Sequence, residues 1–79
     1  MTRSRNYLRI GDDDLDQARA YRTRAAAIDA FAEVARELDR FGQEIEASIH
    51  LAPCRDQINE YPDFVLSLGP RGGVRVERT

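Results

Sequence analysis

No lysine occurs in the 79 residues, so all twelve basic side chains are arginine. That absence excludes nothing about the fold and reads as the mark of GC-rich coding DNA. Its physical consequence is that every positive charge is a planar donor fork, which suits carboxylate pairing and protein interfaces better than an ammonium does. A single cysteine, Cys54, excludes an internal disulfide framework and a multi-cysteine zinc site. No apolar run reaches 18 residues, and the start "MTRSRNYLRIG" has basic residues without the apolar segment of a signal peptide. These absences set the expectation of a soluble, cytoplasmic protein in a reducing compartment. There is no excess of positive charge either: the formal net charge is -2, and the general attraction of a basic domain to nucleic acid is missing.

What is present is an ordinary globular composition, 42% hydrophobic and 33% charged. A chain this short buries only about 60% of the surface its unfolded form exposes. One small domain spanning residues 1–79, with one modest core and no large enclosed active site, is therefore expected.

The clearest periodicity runs from Thr23 to Phe41, "TRAAAIDAFAEVARELDRF". Ala27, Ile28, Phe31, Val34, Ala35, Leu38 and Phe41 recur at the spacing of one helical face. Asp29, Glu33, Arg36, Glu37 and Arg40 form the opposite face, with Glu33–Arg36 and Glu37–Arg40 three apart. Thr23 is the expected N-cap and Gly42 the left-handed residue after the helix. In "QEIEASIHLAP", Ile45, Ala47, Ile49 and Leu51 alternate with Glu44, Glu46, Ser48 and His50, which predicts a strand with one buried and one wet face. After a loop from Pro53 to Asp63, "FVLSLGPRGGVRVER" reads as a hairpin with Leu66 opposite Val76 and Pro70, Arg71 and Gly72 at its tip.

Leu15 to Arg22 admits two readings. Joined to the helix it would make an element about 40 Å long beside strands of about 20 Å, and its apolar residues Leu15, Ala18 and Tyr21 lie among arginines. A first hairpin, Tyr7–Ile10 with Gln17–Arg22 connected by "GDDDLD", is preferred, since aspartate tolerates turn conformations. The expected fold class is thus α+β, a two-layer arrangement of an antiparallel sheet with one main helix packed on one face.

The run "GDDDLDQ" has Asp12, Asp14 and Asp16 at alternate positions, as in the first three ligands of an EF-hand loop. Gln17 then stands where the glycine belongs and Thr23 where a bidentate glutamate belongs, so a solvated acidic turn or an acidic contact patch is the better reading. His50 and Cys54 have no orienting third group or oxyanion loop in the sequence; a surface histidine and a half-buried cysteine are expected, and no catalysis. The glycines of "GPRGG" precede no helix and are assigned to hairpin geometry rather than to a phosphate cradle. Nucleic-acid binding is the rival reading. Arg3, Arg5 and Arg9 with Arg71, Arg75 and Arg78 would form one basic edge if the first and last strands were close, and Tyr7 could stack a base. Glu44, Glu46 and Glu77 on the expected outer face oppose it.

In its size, its one-domain makeup, its lack of catalytic motifs and its acidic run "GDDDLD", the whole chain resembles the small phage-type anti-CRISPR proteins that act on type I surveillance complexes, those of type I-C among them. The group shares no motif from which a functional residue carries over. The resemblance implies a non-catalytic inhibitor that docks on the DNA-binding surface of such a complex, often on its repeated backbone subunits, and blocks target DNA. A protein competing for a basic nucleic-acid channel presents carboxylates, a form of DNA mimicry. Asp12, Asp13, Asp14, Asp16, Glu44 and Glu46 are the candidates, with Tyr7 as a central anchor.

Overall fold

A computed structural model describes residues 4–79. Five strands and one helix follow in the order β1 (Arg5–Ile10), β2 (Arg19–Tyr21), α1 (Arg24–Asp39), β3 (Glu46–Ala52), β4 (Phe64–Leu68) and β5 (Val74–Arg78), with 3-10 turns at Leu15–Gln17 and Arg55–Gln57. The strands form one antiparallel sheet in the order β2-β1-β3-β4-β5, and α1 packs on one face of it. This is the expected α+β architecture. The first hairpin is present in place of the long helix, although β2 is only three residues long.

The helix begins where the capping chemistry requires it. Thr23 has extended dihedrals, and its Oγ1 accepts from the Ala26 N–H at 3.1 Å, satisfying one of the donors a helix start leaves unpaired. Thr23→Ala is expected to cost about 1 kcal/mol, read as a lower urea midpoint with an unchanged slope. At the other end Gln43 N–H bonds Leu38 O and Gly42 N–H bonds Asp39 O, both at 3.0 Å, with Gly42 at φ 74°. That pair of bonds is a Schellman closure, and it needs the left-handed residue that glycine supplies. Phe41 falls outside the helix and is 74% exposed.

Only part of the periodic face is buried. Ala27, Phe31 and Ala35 meet Leu8, Ala47, Ile49 and Leu66 in the main core; Ile28 and Leu38 are half-buried and Val34 is exposed. The face is narrower than the spacing implied because a single helix on a sheet has partners on one side only. Of the two expected helix pairs, Arg40 reaches Glu37 at 3.5 Å, whereas Arg36 turns away from Glu33 and donates Nε to the Gly72 carbonyl at 3.1 Å, tying the helix to the last hairpin. That hairpin has the expected register, Leu66 opposite Val76, with Gly72 at φ 80° in its turn.

A candidate partner-binding surface

The sheet has two faces. Register places Asn6, Leu8 and Ile10, Ala47 and Ile49, and Phe64, Leu66 and Leu68 towards the helix, so Arg5, Tyr7 and Arg9, Glu46, Ser48 and His50, and Arg75 and Glu77 lie on the other. Alternation alone predicts that this second face is wet. The structure divides it in two.

One half is covered by the chain between β3 and β4. Tyr7, Ala18 and Ala52 form a second buried cluster beneath Ile58. His50, 1% exposed, has Nδ1 2.7 Å from the Asn59 carbonyl and Nε2 2.8 Å from Ser48 Oγ. A carbonyl only accepts, so Nδ1 carries a proton, and in the neutral ring Nε2 accepts from the serine hydroxyl. Arg55 Nη1 donates to the Leu15 and Asp16 carbonyls, and its guanidinium lies 5.5 Å from the Tyr7 ring centre. These positions reverse three expectations. His50 is buried rather than a surface residue, Cys54 is exposed rather than half-buried, and Tyr7 is 3% exposed and closed to a partner or a base. The cause is common to all three: the Pro53–Asp63 segment folds back as a cover, with Cys54 on its outside.

The other half is open and acidic at one end. Gly11, at φ 61°, donates its N–H to Glu46 O at 2.7 Å, continuing the β1–β3 ladder past Ile10 and bringing the aspartate turn beside the start of β3. Asp12, Glu44 and Glu46 consequently line one shallow open depression with Arg9. All three carboxylates are exposed. Asp13 lies on the opposite flank of Arg9, beside Gln17 and Arg19. Asp14 and Asp16 lead into the 3-10 turn that Arg55 holds by its carbonyls. Of the six acidic candidates, then, three converge and the others spread around the turn. None of the six side chains is hydrogen-bonded or ion-paired among the described residues. No group of three or more His, Cys, Asp or Glu among them is placed to hold a metal ion. Sequence reasoning set Arg9 in a basic edge, whereas it lies among the carboxylates with its Nε buried and no hydrogen-bond partner among the described residues; it missed Arg55, which acts across 39 positions, a separation that no local pattern reveals.

The basic edge does not form. β1 and β5 are separated by β3 and β4, about 14 Å at the usual strand spacing. Arg75 and Arg78 also sit on opposite faces of β5, while Arg3 lies outside the described residues. Among the described residues no helix is long and apolar enough to cross a membrane. Comparison with protein-family models, with curated proteins and with solved structures gives no match to this chain.

Proposed function

We propose that this chain is a non-catalytic, cytoplasmic inhibitor that binds a protein complex, using its acidic end to occupy the basic target-DNA surface of a type I CRISPR surveillance complex. The observation that carries the reading is the convergence of Asp12, Glu44 and Glu46 on one open depression beside Arg9, exposed and with no hydrogen-bond or ion-pair partner among the described residues. Carboxylates without internal partners are available to arginine and lysine side chains of a partner, and such complementarity steers encounter and fixes register. The partner class comes from the resemblance of the chain to anti-CRISPR proteins. Direct nucleic-acid binding, the rival, is weakened by the dispersal of the arginines and the burial of Tyr7.

The test is capture of a reconstituted type I-C surveillance complex by the tagged protein, followed by a target-DNA binding assay on the recovered complex. Stable capture with loss of DNA binding is expected. The combined variant Asp12→Ser, Glu44→Gln, Glu46→Gln is expected to weaken capture by about tenfold or more with an unchanged thermal melt. Equal capture by that variant would remove the depression as the contact. No capture, with salt-sensitive binding of the protein to DNA, would move the function to nucleic acid, because phosphate contacts are lost steeply with salt.

A further inference from the structure

The sheet ends in two edges of unlike kind. β2 is three residues long, whereas β5 offers five residues, Val74–Arg78, paired to β4 in unbroken one-to-one register and therefore free of a bulge. An edge of this length is a template for another strand, and proteins usually blunt it with proline, bulges or charged side chains. β5 carries no proline, and of its three charged residues Arg75 and Glu77 flank Val76 symmetrically on one face, while Arg78 lies on the other face with Val74 and Val76.

The ladder identifies the groups that are free. Gly69 N–H bonds Gly73 O at 2.7 Å and Thr79 N–H bonds Asp63 O at 3.2 Å. Hydrogen-bonded pairs alternate along an antiparallel ladder, so residues 73, 75, 77 and 79 direct their backbone groups to β4. Val74, Val76 and Arg78 direct theirs to the open edge. We infer that β5 pairs antiparallel with β5 of a second copy of this chain about a two-fold axis at Val76, joining two five-stranded sheets into one of ten strands. In that register Val76 exchanges both backbone bonds with its mate, and Val74 exchanges both with Arg78 of the other copy. On the outer face each Arg75 stands directly opposite a Glu77, twice by symmetry. Val76, 39% exposed in the single chain, is covered by its mate.

This register is favoured over its neighbours. Backbone direction requires 74, 76 and 78 to meet one another, so the permitted slips are by two residues. The two nearest slips place Arg75 against Arg75 or Glu77 against Glu77, and like charges directly opposite repel. An edge-to-edge contact is small, and the dimer is accordingly a weak one.

Sedimentation equilibrium of the purified protein alone, over a concentration series reaching about 1 mM, tests this independently of the inhibitor reading. The mass is expected to rise from 9.0 kDa towards twice that value. Arg75→Glu and Glu77→Arg, each alone, are expected to weaken association about tenfold or more by setting like charges opposite. The double exchange Arg75→Glu, Glu77→Arg is expected to restore it. Val76→Pro removes an outward N–H that β4 does not use and is expected to abolish the dimer while the monomer stays folded by circular dichroism. A monomer across the whole series overturns the inference, as does a dimer indifferent to both single charge exchanges.

Discussion

Replacing Phe31 with alanine is expected to remove about 3–5 kcal/mol of folding stability. Domains carry roughly 0.05–0.15 kcal/mol per residue, so a loss of that size takes a large share of what 79 residues can supply. The reason lies in the composition of this core. The helix buries Ala27, Phe31, Ala32 and Ala35, and the strand beneath contributes Ala47 beside Ile49. Phe31, fully enclosed, is the one large side chain that the helix buries completely. Its alanine neighbours have no side-chain length with which to fill the space it leaves, so the cavity persists and the cost falls at the upper part of the range. The measurement is urea unfolding followed by circular dichroism, with Val34→Ala as the comparison. Val34 belongs to the same periodic run but is 38% exposed, and its truncation is expected to shift the midpoint little. Equal shifts for the two variants would mean that the helix packs by a different face.

That contrast marks what the sequence makes legible. The last hairpin was readable to the residue because two independent signals agree, the period of two in Phe64–Leu68 and Val74–Arg78 and the turn chemistry of Pro70 to Gly72. Thr23 and Gly42 were readable because caps are local chemistry. His50, Tyr7 and Cys54 were misplaced because alternation tells which residues share a face but not what covers it. Half of the second face is covered by a segment near in sequence to β3 but far from β1, held by Arg55 on carbonyls 39 and 40 positions away. The acidic candidates were identifiable by type, whereas the subset that converges depends on β1 and β3 being neighbours, which follows from strand order rather than from periodicity.

The two surfaces left open by this packing have complementary consequences. The acidic depression lies where β1 runs into the aspartate turn beside β3, and the unpaired edge lies on β5, with β4 between β3 and that edge. Neither uses the other's residues. A two-fold pair through β5 would therefore present two acidic ends at once, and two linked contacts bind a partner with two matching sites more tightly than either alone when the spacing fits.

His50→Ala is expected to release the cover while leaving the helix and its core in place, with an overall cost of about 2–4 kcal/mol. The imidazole spans the joint: one nitrogen reaches Asn59 in the covering segment and the other Ser48 on β3, and the ring itself is almost wholly enclosed. Truncation takes away the donor to the Asn59 carbonyl and leaves a void under the segment. His50→Phe refills the void without the donor, so the difference between the two variants separates volume from hydrogen bonding. Amide hydrogen exchange reads the result by region. Faster exchange is expected at Gln57 and Ile58, whose N–H groups bond Cys54 and Arg55 carbonyls within the cover, with Ala35 in α1 protected as before. Asp63 anchors the far end of the cover through its N–H to Ile49 O and its carboxylate to Leu51 N–H, so the opening is expected to stop there. Loss of protection spread evenly over α1 and the cover would instead make His50 part of one cooperative core, and the second cluster around Tyr7 would then contribute to global rather than local stability.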